Sequence, residues 1–115
     1  MRVLAITPIH VGSEELARRQ SRYDRLATAG MTVTVVDLPT HAPTALQSDK
    51  DVHVSDEMVA QIIVNHQGEF DFVMPDCVLD PGVETKASIE TERVVGLLEQ
   101  AMVQVSQTGE RYGVI

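Results

Sequence analysis

Short apolar runs alternate with longer helical stretches along the whole chain. The runs lie at residues 2–6, 31–37, 70–74 and 94–95, and a last one starts at residue 112. They are rich in β-branched or other apolar residues and end at or next to proline, aspartate or glycine, which is typical of buried strands. Strands that alternate with helices form a parallel sheet through right-handed crossovers. We therefore expect an α/β fold, a doubly wound, flavodoxin-like parallel sheet of four to five strands with helices on both faces.

Capping residues mark the predicted helix boundaries. Ser13, Ser55 and Asp80 are predicted N-caps, because each precedes a helical pattern and a short polar side chain there accepts a backbone hydrogen bond. Gly30 and Gly68 are predicted to end the first two helices. The polar stretch at residues 39–54 is predicted to be the longest loop, and the apolar residues from Leu97 onward predict a further helix.

Length and charge narrow the class of protein. A chain of 115 residues is expected to form one domain over residues 1–115. No apolar run approaches the length of about 20 residues that spans a bilayer, so no membrane association is expected. A net charge of -8 argues against a nucleic-acid partner, and a single cysteine excludes an internal disulfide. We therefore predict a cytoplasmic enzyme or binding domain.

Cys77 is the residue with the clearest chemical potential. Ligands of doubly wound sheets bind beyond the carboxyl ends of the strands, and Cys77 comes just after one strand and just before a helix. A helix N-terminus stabilises a thiolate, which can take a proton or attack an electrophile. Two observations weaken this interpretation: most unpaired cysteines are small buried hydrophobes, and the carboxylates of Asp76 and Asp80 disfavour a nearby thiolate.

No cofactor or metal is expected. The four histidines lack metal-ligand spacing, and neither a Gly-rich dinucleotide motif nor a Walker motif occurs. His10 is the one histidine in a turn that we place at the ligand end of a strand.

Three segments resemble the aspartate/glutamate/hydantoin racemase superfamily, most closely its hydantoin racemase branch. The first is the Pro-containing turn after the first strand, residues 6–10; the second is Cys-x-x-Asp-Pro-Gly at residues 77–82; the third is the strand, glycine and helix at residues 94–102. The resemblance runs over essentially the whole chain. The second segment is fairly specific, whereas the other two are supportive.

The resemblance implies a cofactor-independent racemase or isomerase that acts on an amino acid, a hydantoin or a related small carboxylate. It implies that this chain is similar to the N-terminal domain of a two-domain racemase, with Cys77 as one acid/base and Thr7, Pro8, Val78 and Leu79 lining the substrate. In the family a second cysteine, from a second domain, faces the opposite side of the stereocentre, because inversion needs an acid and a base on opposite faces.

The sequence departs from the family in two places. Ile9 stands where the family commonly has a polar residue, and the second cysteine is absent. The cysteine acid/base chemistry is therefore expected to be incomplete in this short chain, and the isolated monomer is not expected to be active. Three accounts are open: a fragment, a shortened relative without racemase activity, or a protomer that completes its site in a homo-oligomer. Because a chain like this leaves a strand edge to be covered, we expect a homo-oligomer. In the alternative interpretation, the chain is a non-catalytic domain that retains the racemase fold and either binds a small anion or has a regulatory role.

Overall fold

The chain folds into three parallel strands and two helices in the part that the structure, a computed structural model, describes: residues 1–66, 68–77, 95–96, 104 and 107. The elements in chain order are β1 (Arg2–Ile6), α1 (Ser13–Leu26), β2 (Thr32–Val36), α2 (Asp49–Asn65) and β3 (Phe72–Pro75). The strand order is β2-β1-β3, with β1 in the centre. The predicted α/β fold with a parallel sheet is therefore confirmed.

The register of the sheet brings three strand ends to one level. Ile6, the last residue of β1, pairs with Val36 of β2 and with Pro75 of β3. The residues that follow these partners are Thr7, Asp37 and Asp76. Polar residues from three distant parts of the sequence consequently meet at one edge of the sheet.

Alternate residues of β1 point to two separate apolar cores. Leu4 and Ile6 belong to a cluster with Val59 and Ile63 of α2, among others. Val3 and Ala5 belong to a second cluster, against which Leu16 and Tyr23 of α1 pack. The two helices thus cover opposite faces of the sheet, as predicted. Burial on both sides explains why β1 is apolar from Val3 to Ile6 without alternation.

The structure corrects the predicted helix boundaries. Gly12, and not Ser13, is the N-cap of α1, and no side chain caps that helix. Helix α2 is capped by Ser48, whose hydroxyl accepts the Asp51 N–H at 3.1 Å, seven residues before the predicted cap Ser55. The residues of α2 before Ser55 are mostly polar and none of them is buried, so apolar periodicity did not reveal them. The loop predicted at residues 39–54 is shorter for this reason.

The predicted helix ends also lie a few residues too late. Helix α1 ends at Leu26 and helix α2 at Asn65, before Gly30 and Gly68 respectively. Both glycines have φ near +85°, at 83° and 85°. They are turn residues in the left-handed region that glycine tolerates, and the helices have already ended when the chain reaches them.

Val95 lies beside β3, because its backbone N–H donates to the Val73 carbonyl at 2.9 Å. This contact is where a fourth strand at residues 94–95 would lie, but Val94, the helix start at residues 80–82 and the strand from residue 112 fall outside the described residues. A sheet of four to five strands stays a prediction. Neither helix in the described part has the length and apolar character needed to cross a membrane.

Candidate functional site

The candidate site is the carboxyl-end edge of the sheet. We use this name for residues 7–12 after β1, residues 37–38 after β2 and residues 76–77 after β3. An apolar cavity also occurs in the described part, but it lies between α1 and the sheet and is lined by residues such as Met1, Leu26 and Phe72. The side chains that line that cavity are apolar apart from Tyr23, whereas the carboxyl-end edge carries acids, a histidine and Cys77.

Asp37 organises the turn between β1 and α1. Its Oδ1 accepts the Val11 N–H at 2.9 Å and the Thr7 hydroxyl at 3.0 Å, and its Oδ2 accepts the Gly12 N–H at 2.9 Å. His10 Nδ1 lies 3.1 Å from Oδ2. Gly12 has φ +85°, a conformation that side chains disfavour, and α1 begins at the next residue.

The environment of Asp37 favours its ionised form. Burial of the carboxyl acts to raise its pKa, but the N–H groups of Val11 and Gly12, the Thr7 hydroxyl and the nearby His10 together hold the pKa below its usual value. Asp37 is therefore a carboxylate at neutral pH. It binds two backbone donors of the turn just before α1, Val11 N–H and Gly12 N–H, which an external anion in this turn would otherwise use.

Thr7 and Pro8 hold the turn in place. Thr7 is fully buried, and its Oγ1 accepts the Leu38 N–H at 3.2 Å and lies 2.7 Å from the Ile9 carbonyl. The Pro8 carbonyl accepts the hydroxyl of buried Ser55 at 2.6 Å. The predicted contact of Thr7 and Pro8 with substrate stays a prediction.

His10 is tied to the β2 side of the edge. Its Nδ1 lies 2.8 Å from the Leu38 carbonyl oxygen, and its backbone N–H donates to the Pro43 carbonyl at 2.9 Å. The imidazole is about a quarter exposed, at 26%. The ring is consequently fixed at Nδ1 while part of the side chain stays exposed.

Asp76 is held by two side chains of α1. Its Oδ1 accepts the Tyr23 hydroxyl at 2.7 Å, and its Oδ2 accepts Arg19 Nη1 at 3.1 Å. Its backbone N–H donates to the Ile6 carbonyl at 2.7 Å. Burial, and then the hydrogen bond to the Asp76 carboxylate and its charge, raise the pKa of Tyr23 far above its usual value, so Tyr23 remains a donor.

Glu15 supports Arg19 from the preceding turn of α1. Its carboxylate accepts Arg19 Nε at 3.1 Å and also pairs with Arg18. The hydrogen bonds from Arg18 and Arg19 lower the pKa of Glu15. Arg19 is thus held between two carboxylates, Glu15 and Asp76.

Cys77 directly follows Asp76 and is partly exposed at the carboxyl-end edge. The sequence suggested that the Asp76 charge disfavours a thiolate here. In the structure that charge is paired with the Arg19 guanidinium, which reduces its effect. Val78, Leu79 and Asp80 lie outside the described residues, so their predicted contacts are not placed.

Several residues of the edge were missed in the sequence. Asp37 had a usable signal, because it is the first acid after a β-branched strand. Arg19 and Tyr23 had only their spacing of four residues, which places them on one face of a helix. Among the described residues, no group of three or more His, Cys, Asp or Glu side chains has the geometry of a metal site.

Comparisons with known proteins give a fold and no family. No protein-family model and no curated protein matches the sequence. The solved structure of an allantoin racemase from Klebsiella pneumoniae is similar over 93% of this chain, with a TM-score of 0.72 and 18% sequence identity. The chain spans 43% of the length of that structure. The likeness shows a racemase-like fold for this chain.

Proposed function

We propose that the chain is a racemase-type domain in which Cys77 exchanges a proton at the carbon next to a carboxyl or carbonyl group. The substrate class is an amino acid, a hydantoin or a related small carboxylate, and no cofactor takes part. The observation that carries the proposal is the place of Cys77, the second residue after β3 at the carboxyl-end edge of a racemase-like fold.

The chemistry requires a base that can take a proton near neutral pH. It also requires hydrogen-bond donors that stabilise the enolate oxygen. A thiolate meets the first requirement, and the Arg19 pairing of Asp76 lessens the repulsion beside it. For the second, we propose backbone N–H groups in the segment after Cys77, with Val78 and Leu79 against the substrate. The chain spans 43% of the length of the racemase structure, so the proposal concerns proton exchange by Cys77 and not complete turnover by this chain alone.

The alternative, a non-catalytic domain that binds a small anion, ranks second. The N–H groups of Val11 and Gly12, which are the natural anion site of the first strand–helix turn, already bind the Asp37 carboxylate. An external anion would have to displace this side chain.

The test is deuterium incorporation at the stereocentre in D₂O, followed by NMR. The probes are both enantiomers of allantoin, of a 5-alkylhydantoin and of aspartate. We expect the wild-type protein to incorporate deuterium and Cys77→Ser to lose at least one enantiomer's exchange by about a hundredfold or more. Ser21→Ala, an exposed change on α1, is the control. Equal exchange by the wild-type protein and Cys77→Ser contradicts the proposal.

A further inference from the structure

The imidazole of His10 is oriented by two acceptors at the same nitrogen. Its Nδ1 lies 2.8 Å from the Leu38 carbonyl oxygen and 3.1 Å from Asp37 Oδ2. Neither oxygen can donate, since one is a carbonyl and the other belongs to a carboxylate. The proton of the neutral ring must therefore sit on Nδ1, which leaves the Nε2 lone pair as the basic position.

The Nε2 end of the ring is available within the described part of the chain. None of the described residues forms a hydrogen bond to Nε2, and a quarter of the side chain, 26%, is exposed. A carboxylate that fixes one imidazole nitrogen while the other stays open is the arrangement that orients a histidine for proton transfer.

His10 and Cys77 lie on opposite sides of the end of β1. His10 is bound to Leu38 and Pro43, which follow β2, whereas Cys77 follows β3. Because β1 separates β2 from β3, the two groups are about two strand spacings apart, or roughly 10 Å. A small planar substrate bound between them would present one face to each group.

We infer that His10, oriented by Asp37, is a second acid/base of this site and acts on the face of the substrate opposite Cys77. The inference rests on the proposed function of Cys77. For one enantiomer, the Cys77 thiolate takes the proton from the stereocentre, and the electron pair stays on the substrate as an enolate. The His10 imidazolium then gives its Nε2 proton to the opposite face. The resulting thiol and neutral imidazole are the starting state for the other enantiomer, so protons balance over a cycle.

The orientation of His10 is tested on the unaltered protein. Long-range ¹H–¹⁵N NMR of the histidine rings distinguishes the two neutral forms, and we expect the Nδ1-protonated form for His10 at high pH. The Nε2-protonated form would overturn the inference without touching the proposal for Cys77.

The catalytic part is tested by the exchange of each enantiomer with His10→Asn. Asparagine can still donate from the position of Nδ1 but has no counterpart of Nε2. We expect His10→Asn to exchange one enantiomer about a hundredfold more slowly than the wild-type protein and to exchange the mirror image at a rate within a few-fold of the wild-type rate. Cys77→Ser should show the reverse: it should lose the exchange that His10→Asn keeps. The control is His53→Asn, because His53 is 70% exposed on α2.

The possible failures are distinct. If His10→Asn lowers both enantiomers equally, or lowers neither while Cys77→Ser remains defective, His10 is not an acid/base and the role of Cys77 stands. If the wild-type protein exchanges neither enantiomer of any probe, the proposed function is wrong and the role of His10 falls with it. Circular dichroism of each variant verifies that the fold is retained.

Discussion

At the scale of single residues, Asp37 acts as an internal anion at the start of α1. Helix N-termini favour negative charge, and here the charge comes from the end of the neighbouring strand and not from a cap in the helix itself. The same carboxylate also holds His10. One side chain therefore links the stability of the turn to the orientation of the imidazole.

Asp37→Asn is expected to destabilise the fold by about 2 kcal/mol. The amide has one accepting oxygen, so it leaves one of the backbone N–H groups of Val11 and Gly12 without a partner, and it loses the charge. Urea unfolding at neutral pH measures the change. Asp24→Asn is the control, since Asp24 accepts an exposed bond from Gln20 on α1 and the change should alter stability by less than about 0.5 kcal/mol. Equal losses in the two variants would refute the role of Asp37.

The same pair of proteins gives a pH prediction. The pKa of Asp37 is lower in the folded state than in the unfolded chain, where it is about 3.9. Its contribution to stability is thus fully present above the unfolded value and is lost as the pH falls through the folded value. The difference in the free energy of unfolding between wild type and Asp37→Asn should be constant from about pH 5 to 7 and narrow below about pH 4. A difference that grows on acidification would contradict a lower pKa of Asp37 in the folded state.

At the scale of elements, α2 uses two serines in different ways. Ser48 caps the helix, whereas Ser55 is buried and donates to the Pro8 carbonyl of the turn after β1. The second contact joins α2 to the carboxyl-end edge.

Ser55→Ala is expected to cost about 1–3 kcal/mol, because it leaves a buried carbonyl without a donor. Ser48→Ala is expected to cost about 1 kcal/mol through the lost cap. Chemical unfolding of both variants, with exposed Ser21→Ala as the reference, measures the loss in the free energy of unfolding for each. A loss for Ser55→Ala no larger than that of the reference would mean that the Pro8 contact contributes nothing.

Helix α1 sets the charge beside Cys77 through Arg19 and Asp76. Asp76→Asn removes the negative charge beside Cys77, leaves Arg19 paired with Glu15, and should speed the reaction of Cys77 with iodoacetamide. Arg19→Met removes the positive charge that faces the Asp76 carboxylate, which keeps its bond from Tyr23, and should slow the reaction. Each change should be roughly two- to fivefold, as expected for a partly screened charge within several ångströms.

The opposite signs separate this effect from loosening of the structure, which would move both rates in one direction. Arg18→Met is the matched control, since Arg18 is 73% exposed and, among the described residues, pairs with Glu15 alone. A common direction for Asp76→Asn and Arg19→Met would exclude the electrostatic explanation.

At the scale of the whole molecule, the chain is similar in fold to a structure of which it spans 43% of the length. The homo-oligomer expected from the sequence stays a prediction. Sedimentation over a range of micromolar concentrations should show a species larger than the monomer, and a monomer at every concentration would contradict it.

Mixing two variants that each lack racemase activity tests whether two protomers contribute residues to one site. If His10 and Cys77 act in one chain, as their place on one sheet edge indicates, a mixture of Cys77→Ser and His10→Asn should racemise no faster than the sum of the two alone. Recovery of activity in the mixture would instead place the two groups in different protomers. The wild-type protein mixed with each variant is the control for exchange of subunits.

The types of the elements and the place of Cys77 could be predicted from local sequence patterns. The apolar runs identified β1, β2 and β3 to within two residues, because burial on both faces of a parallel sheet leaves a local trace in every strand. A strand that ends before a cysteine is likewise a local pattern, and it was enough to direct attention to the carboxyl-end edge.

Which side chains meet at that edge could be seen in the tertiary structure and not in the sequence. Asp37 reaches Val11 across 26 positions, Ser55 reaches Pro8 across 47, and Arg19 reaches Asp76 across 57. Such contacts depend on the register of the strands and on the crossovers between them, and no periodicity encodes them. The cap at Ser48 was missed for a related reason, since exposed helical turns lack the apolar spacing that burial imposes. The position of the candidate site could therefore be predicted from local sequence patterns, whereas the long-range contacts that set its chemistry could not.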